Sequence, residues 1–139
     1  IILLIISGWK KNLLMKKYDI IIIGAGPAAI NFSRAAQGSD KKILAIEGDK
    51  FVGTCPNYGC EPKIFLEGAV RNVLSSQLMQ NRGIGQASTI DWQALMKTKK
   101  ATWENMPAAQ EMGFKNLGID TLHGYARFVD NHTVEVNGE

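Results

Sequence analysis

The run Tyr18-Asp19-Ile20-Ile21-Ile22-Ile23 passes directly into Gly24-Ala25-Gly26-Pro27-Ala28-Ala29, and this junction restricts the possible folds more than any other part of the sequence. A short apolar, β-branched run closed by glycine reads as a parallel strand buried on both faces. Residues 27–37 then take on helical character, with Ile30, Arg34 and Ala35 spaced for a helix and Gly38-Ser39-Asp40 as its stop. A second apolar strand is expected over 42–46. Strand, helix and strand together make a unit of about 30 residues, the size of a right-handed parallel crossover. The expected fold class is therefore α/β, a Rossmann-like domain built on a parallel sheet.

The glycine pattern at this junction has a physical use. A tight turn out of a strand needs unrestricted dihedrals at Gly24, and a side chain at Gly26 would hold a pyrophosphate away from the helix N-terminus. Ala29 stands where a third glycine serves helix-to-strand packing, and alanine is tolerated there. Glu47 follows at the end of the second strand, eighteen residues past Ala29, in range for a carboxylate that accepts hydrogen bonds from ribose hydroxyls. The pattern points to a dinucleotide. The alternative is a tight strand-to-helix turn with a solvated Glu47.

The only two cysteines, Cys55 and Cys60, come soon after that acid, in Val52-Gly53-Thr54-Cys55-Pro56-Asn57-Tyr58-Gly59-Cys60-Glu61-Pro62-Lys63. Two cysteines do not make a secreted disulfide scaffold, so they matter through reactivity or metal binding if they matter at all. Pro62 suits the first turn of a helix running to about Gln80, which places Cys60 near a helix N-terminus that favours thiolate. A spacing of five lets a loop bring the sulfurs together. The other readings are two unremarkable buried cysteines or half of a metal site. With no second cysteine pair and only His123 and His132 as histidines, no metal centre is expected.

Beyond the cysteines, a third helical stretch is expected from Asp91 to about Lys115, broken near Pro107. Residues 81–89 are linker-like, and a third strand should cover 119–123. Trp92 and Trp103 fall within helical periodicity and read as packing residues. Phe128-Val129 and Thr133 to Val136 read as strand, turn, strand, with Asn137-Gly138 a strong hairpin dipeptide. The sequence then ends at residue 139, and we expect a piece of a longer protein cut at the start of a β-hairpin or meander.

Sixteen basic against thirteen acidic residues give a net charge of +3 with no long block of one sign, so nucleic acid is not an expected partner. The apolar opening Ile1 to Ile6 is far short of the roughly 18 residues of a membrane span. Its lysines follow the apolar run rather than precede it, unlike a secretory signal, so neither membrane insertion nor export is expected and the expected location is cytoplasmic. Met15 reads as the natural start, residues 1–14 as an upstream or non-native extension, and residues 15–139 as an incomplete domain.

From Tyr18 onward the sequence resembles the amino-terminal, FAD-binding part of the class I pyridine nucleotide-disulfide oxidoreductases, the group of glutathione reductase, dihydrolipoamide dehydrogenase and mercuric reductase. Three separated motifs carry the resemblance. They are the glycine turn with Glu47, the G-T-C-x-N-x-G-C-x-P-K segment at Gly53 to Lys63, and His123-Gly124-Tyr125-Ala126-Arg127-Phe128.

The resemblance implies FAD as the bound cofactor and NAD(P)H as electron donor. Gly24, Gly26, Pro27, Ala28 and Glu47 would lie on the ADP half, Thr54 at the pyrophosphate, Gly53 where backbone comes close to the flat cofactor, and backbone at Tyr125 and Ala126 beside the adenine. It further implies that Cys60 faces the flavin as the charge-transfer thiolate, that Cys55 exchanges with a small disulfide substrate, and that Lys63 lies near flavin N5. Such proteins are homodimers. The sequence departs from the family pattern at Val52, which replaces a glycine, and at Pro56 and Glu61, which replace apolar residues; the Glu61 carboxylate should oppose thiolate formation beside it. A non-catalytic nucleotide-binding module with idle cysteines, and a small thiol or soft-metal carrier, are the competing readings.

Overall fold

The isoleucine run forms β1 (Ile20–Ile23), and the glycine turn leads into α1 (Pro27–Ala35) and then β2 (Ile43–Glu47). A computed structural model of the chain describes residues 15–138; the expectation for residues 1–14 lies outside them. The remaining elements are α2 (Thr54–Tyr58), α3 (Cys60–Met79), α4 (Trp92–Trp103), α5 (Met106–Asn116), β3 (Asp120–His123), β4 (Ala126–Phe128) and β5 (Val134–Val136). The chain divides into two compact units. One holds the residues up to Gly53 and those from Pro107 onward, the other is Thr54–Met106.

In the first unit, β1, β2 and β3 form a parallel sheet in that spatial order. Ile20 lies opposite Ile43 and Ile23 opposite Ile46, while Leu44 faces Asp120 and Glu47 faces His123. β2 is central and buried from Ile43 to Ile46. The expectation that β1 is buried on both faces does not hold. It pairs with β2 alone among the described residues, its isoleucines are half-buried, and Ile23 is 49% exposed.

One face of the sheet packs Ala25, Ala29, Ile43, Ala45, Phe51, Phe114 and Ile119 into a core, with Phe51 and Phe114 fully buried edge to face at 5.8 Å. Burying each such ring contributes roughly 2 to 3 kcal/mol. The other face gathers Tyr18, Leu44, Ile46 and Val136. At the strands' N-terminal ends the Tyr18 hydroxyl donates to Asp120 at 2.9 Å, and burial followed by that carboxylate pushes the phenol up to about 12. β4 and β5 form a separate antiparallel pair, with the bidentate Arg127–Glu135 ion pair across it.

In the second unit the expected helix at Pro62 starts earlier, at Cys60, and is preceded by the short helix α2 that the sequence did not suggest. The long third helix is two, divided just before Pro107: α4 lies in this unit, and α5 from Pro107 onward belongs to the first. α4 begins on Asp91, whose carboxylate accepts from the Ala94 N–H at 3.0 Å. The stretch 81–89 is irregular apart from one bridge between Gln80 and Ile84, and the Ser76 hydroxyl accepts from the Ser88 N–H at 2.8 Å. Among the described residues no helix is long and apolar enough to cross a membrane.

Candidate active site

The C-terminal ends of the parallel strands carry the first group of candidate residues. Gly24 leaves β1 with φ of +91°, where a side chain would be strained, and its N–H donates to the Ile46 carbonyl at 2.8 Å. Gly26 caps α1 with φ of −79°, a conformation open to any residue, and among the described residues a Cβ there would meet nothing nearer than Gly53 Cα at 3.9 Å. Neither the backbone geometry nor the packing of the described residues therefore demands a glycine at 26. A close-approaching ligand would.

α1 has no side-chain cap and no acidic residue in its first turn, Pro27 contributes no N–H, and Ala28 lies exposed beside it. This leaves the positive end of the helix open to an anion. Gly53, with φ of +76°, comes so near that a Cβ on it would lie 2.7 Å from Gly26 Cα. These features fit a pyrophosphate.

Glu47, at the tip of β2, binds the turn from the other side. One carboxylate oxygen accepts from the Ala25 N–H at 2.8 Å, the other from Asp49 N–H at 2.9 Å. Each oxygen keeps a second acceptor site for a hydroxyl. Tyr125 lies next to it, with its ring against Gly48 and 76% exposed, and Ala126 opens β4.

Asn137 was not legible as part of this arrangement. Its side chain accepts from the Tyr125 N–H and donates to the His123 carbonyl, both at 3.2 Å, so β5 shapes the turn after β3. Glu111 was also missed. It accepts from Lys115 at 2.7 Å, Thr121 at 2.8 Å and His123 at 3.0 Å. Those contacts, led by Lys115, hold its carboxyl at about 2. The spacing of Glu111 and Lys115 on one helix was a visible signal; the alternation that turns Thr121 and His123 to one side of β3 was the other half.

The second unit carries the rest: Thr54, Cys55, Cys60 and Lys63. Thr54 opens α2 and is exposed, Cys55 is half-buried, and Cys60 is the exposed first residue of α3. Gly59 is the joint. Its N–H donates to the Cys55 carbonyl at 3.2 Å, and a Cβ on it would sit 3.3 Å from the Thr54 carbonyl oxygen and 3.4 Å from Cys55 Cα.

The two cysteines are free thiols in hydrogen-bonding contact. That bond to the Cys60 side chain is the main cause raising the Cys55 thiol, followed by burial, while the Cys60 backbone N–H pulls the other way. Lys63 stands one turn into α3, beside an open apolar groove of about 560 Å³ that Tyr58, Leu66, Val70, Trp92 and Met96 also line. Trp92 is 60% exposed, and Trp103 packs against Phe65.

Comparison with known proteins decides what this arrangement belongs to. The sequence model of the pyridine nucleotide-disulphide oxidoreductase family matches residues 18–139. The chain belongs to this family. It is 32% identical to the dihydrolipoyl dehydrogenase of Mycoplasma genitalium, over 86% of this chain and 27% of the relative. It is 34% identical to a mercuric reductase of Bacillus cereus, over 87% of this chain and 20% of the relative.

Among solved structures, the Cu(II) complex of the HOCl-induced flavoprotein disulfide reductase RclA from Escherichia coli shares the fold, with a TM-score of 0.67 at 24% identity. The match covers 88% of this chain and 25% of that one. The chain thus spans about a quarter or less of the length of these proteins.

Proposed function

We infer that the chain is the FAD-binding part of an oxidoreductase that takes electrons from NAD(P)H and reduces a small disulfide through Cys55 and Cys60. The observation that carries this reading is the pair of thiols in contact across Gly59 at the entry to α3. When bound, FAD supplies the means of moving two electrons between a nicotinamide and a disulfide. Gly24, Gly26, Pro27, Ala28, Gly53 and Thr54 would hold its pyrophosphate, Glu47 its ribose, Tyr125 and Ala126 its adenine, and Lys63 would lie at the flavin ring.

The chemistry of the cysteines is thiol–disulfide exchange. Cys55, deprotonated, attacks one sulfur of the substrate; that S–S bond breaks, and the first product leaves as a thiolate that takes a proton. Cys60 then attacks the Cys55 sulfur, releasing the second product thiol and forming the Cys55–Cys60 disulfide. Two electrons and two protons pass from the cysteines to the substrate. Cys60 as the first residue of a helix is placed to carry negative charge during this exchange. In the whole protein a homodimer would serve the same reaction.

Binding of FAD and of ADP by calorimetry tests the reading. Gly26→Val should weaken both at least tenfold by placing a branched side chain against the pyrophosphate, while circular dichroism shows the fold kept. Parent-like binding by that variant would remove the cofactor from this turn.

A further inference from the structure

Glu61 is the carboxylate next to Cys60, and it is held rather than free to swing. The Trp103 indole N–H on α4 donates to its Oε2 at 3.3 Å, while the Trp103 ring meets Phe65 edge-on with centroids 5.5 Å apart. Glu61 and Phe65 are one turn apart on the same side of α3. The indole therefore grips the start of α3 at two points. Among the described residues no lysine or arginine comes within ion-pair distance of the Glu61 carboxylate. Its charge also reaches Cys55, adding to the hydrogen bond and burial that raise that thiol.

We propose that Trp103 is a positioning residue for the Cys55–Cys60 pair. Its indole N–H fixes the carboxylate of Glu61, the residue after Cys60, where the negative charge disfavours the Cys55 thiolate and makes the disulfide harder to reduce at alkaline pH. This rests on the disulfide chemistry proposed above and adds the groups that tune it.

The charge acts on thiolate and not on thiol or disulfide, so it lowers the stability of the reduced pair only where thiolates are populated. Tyr58 on α2, Lys63, Glu67 and Arg71 on α3, and Asp91, Lys97, Lys99, Lys100 and Glu104 on or beside α4 are the other titratable groups on the surrounding elements. They are unchanged in the variants below.

The chain is equilibrated in glutathione buffers at about pH 6 and about pH 9.5, on either side of the ordinary thiol range. It is then quenched by alkylation and weighed. Two glutathione thiols reduce the protein disulfide to two thiols and leave as one glutathione disulfide, so the equilibrium constant is read directly. Glu61→Gln should shift it toward the reduced pair roughly threefold at the higher pH and leave it unchanged at the lower. Trp103→Phe keeps the ring on Phe65, removes the N–H, and should shift it in the same direction by less. In the Glu61→Gln background, Trp103→Phe should add nothing.

Equal shifts at both pH values, no effect of Trp103→Phe, or an undiminished effect in the double variant would overturn the proposal. If the parent chain forms no Cys55–Cys60 disulfide, the proposal falls together with the disulfide chemistry, whereas FAD binding is judged separately by the calorimetry. The pH dependence of alkylation gives a second measure, and Glu61→Gln should speed it near neutral pH.

Discussion

Val52 has φ of +78° and a side chain only 6% exposed, an uncommon pairing for a β-branched residue. Glycine at this position would remove strain of order 1 to 3 kcal/mol but also a buried side chain of similar worth. Alanine would lose most of the packing and keep the strained backbone. The expected outcome, read by chemical denaturation, is that Val52→Gly is more stable than Val52→Ala by about 1 kcal/mol, the reverse of their order in an ordinary helix or strand. The departure from the family's glycine was visible in the sequence. Its left-handed conformation was not, because nothing local in a valine demands one. Gly26 is the contrasting case: the glycine pattern before a helix suggested close ligand approach there, its φ of −79° does not itself require a glycine, and the Gly26→Val binding test decides the role.

Among the elements, those set by local patterns were the legible ones. The apolar run of β2, the strand β3, the helix after Pro27 and the strand pair ending in Asn137-Gly138 all form near their expected positions, and Asn137 and Gly138 both take positive φ as a tight hairpin turn requires. α2 was missed because Thr54-Cys55-Pro56-Asn57-Tyr58 reads as loop, although Pro56 occupies only its third residue, where no intrahelical N–H is needed. Contacts between elements were also out of reach, and Glu111 is the clearest of them, since it ties α5 to β3 through Thr121 and His123. Its carboxyl lies near 2 in the fold against an ordinary 4.5, so its stabilising contribution is complete above about 4.5 and is lost as pH falls toward 2. Glu111→Gln should therefore cost about 1 kcal/mol at neutral pH, with the difference from the parent shrinking across that acid window. A difference that stays constant from pH 7 to pH 2 in denaturation curves would assign the stability to packing instead.

For the molecule as a whole, the division into two units separates the two proposed sites: the glycine turn, Glu47 and Tyr125 belong to one unit, and the cysteine pair with Glu61 and Trp103 to the other. The first unit is organised by β2, which is hydrogen-bonded on both edges and buried from Ile43 to Ile46, so its amides should exchange most slowly in the free protein. A ligand adds protection only against openings that destroy its site, by about 2.7 kcal/mol at a hundred times its Kd. ADP, which carries the adenosine and pyrophosphate but no flavin ring, should therefore slow exchange at 24–29, 47–49 and 124–126 and across β2, through the openings those residues share. Openings confined to residues 59–106 leave the glycine turn intact and should proceed at their free rate. Hydrogen exchange read by mass spectrometry makes the comparison segment by segment. Equal ADP protection along α3 and α4 would show that the two units open as one, and that adenosine binding already reaches the helix that carries Cys60.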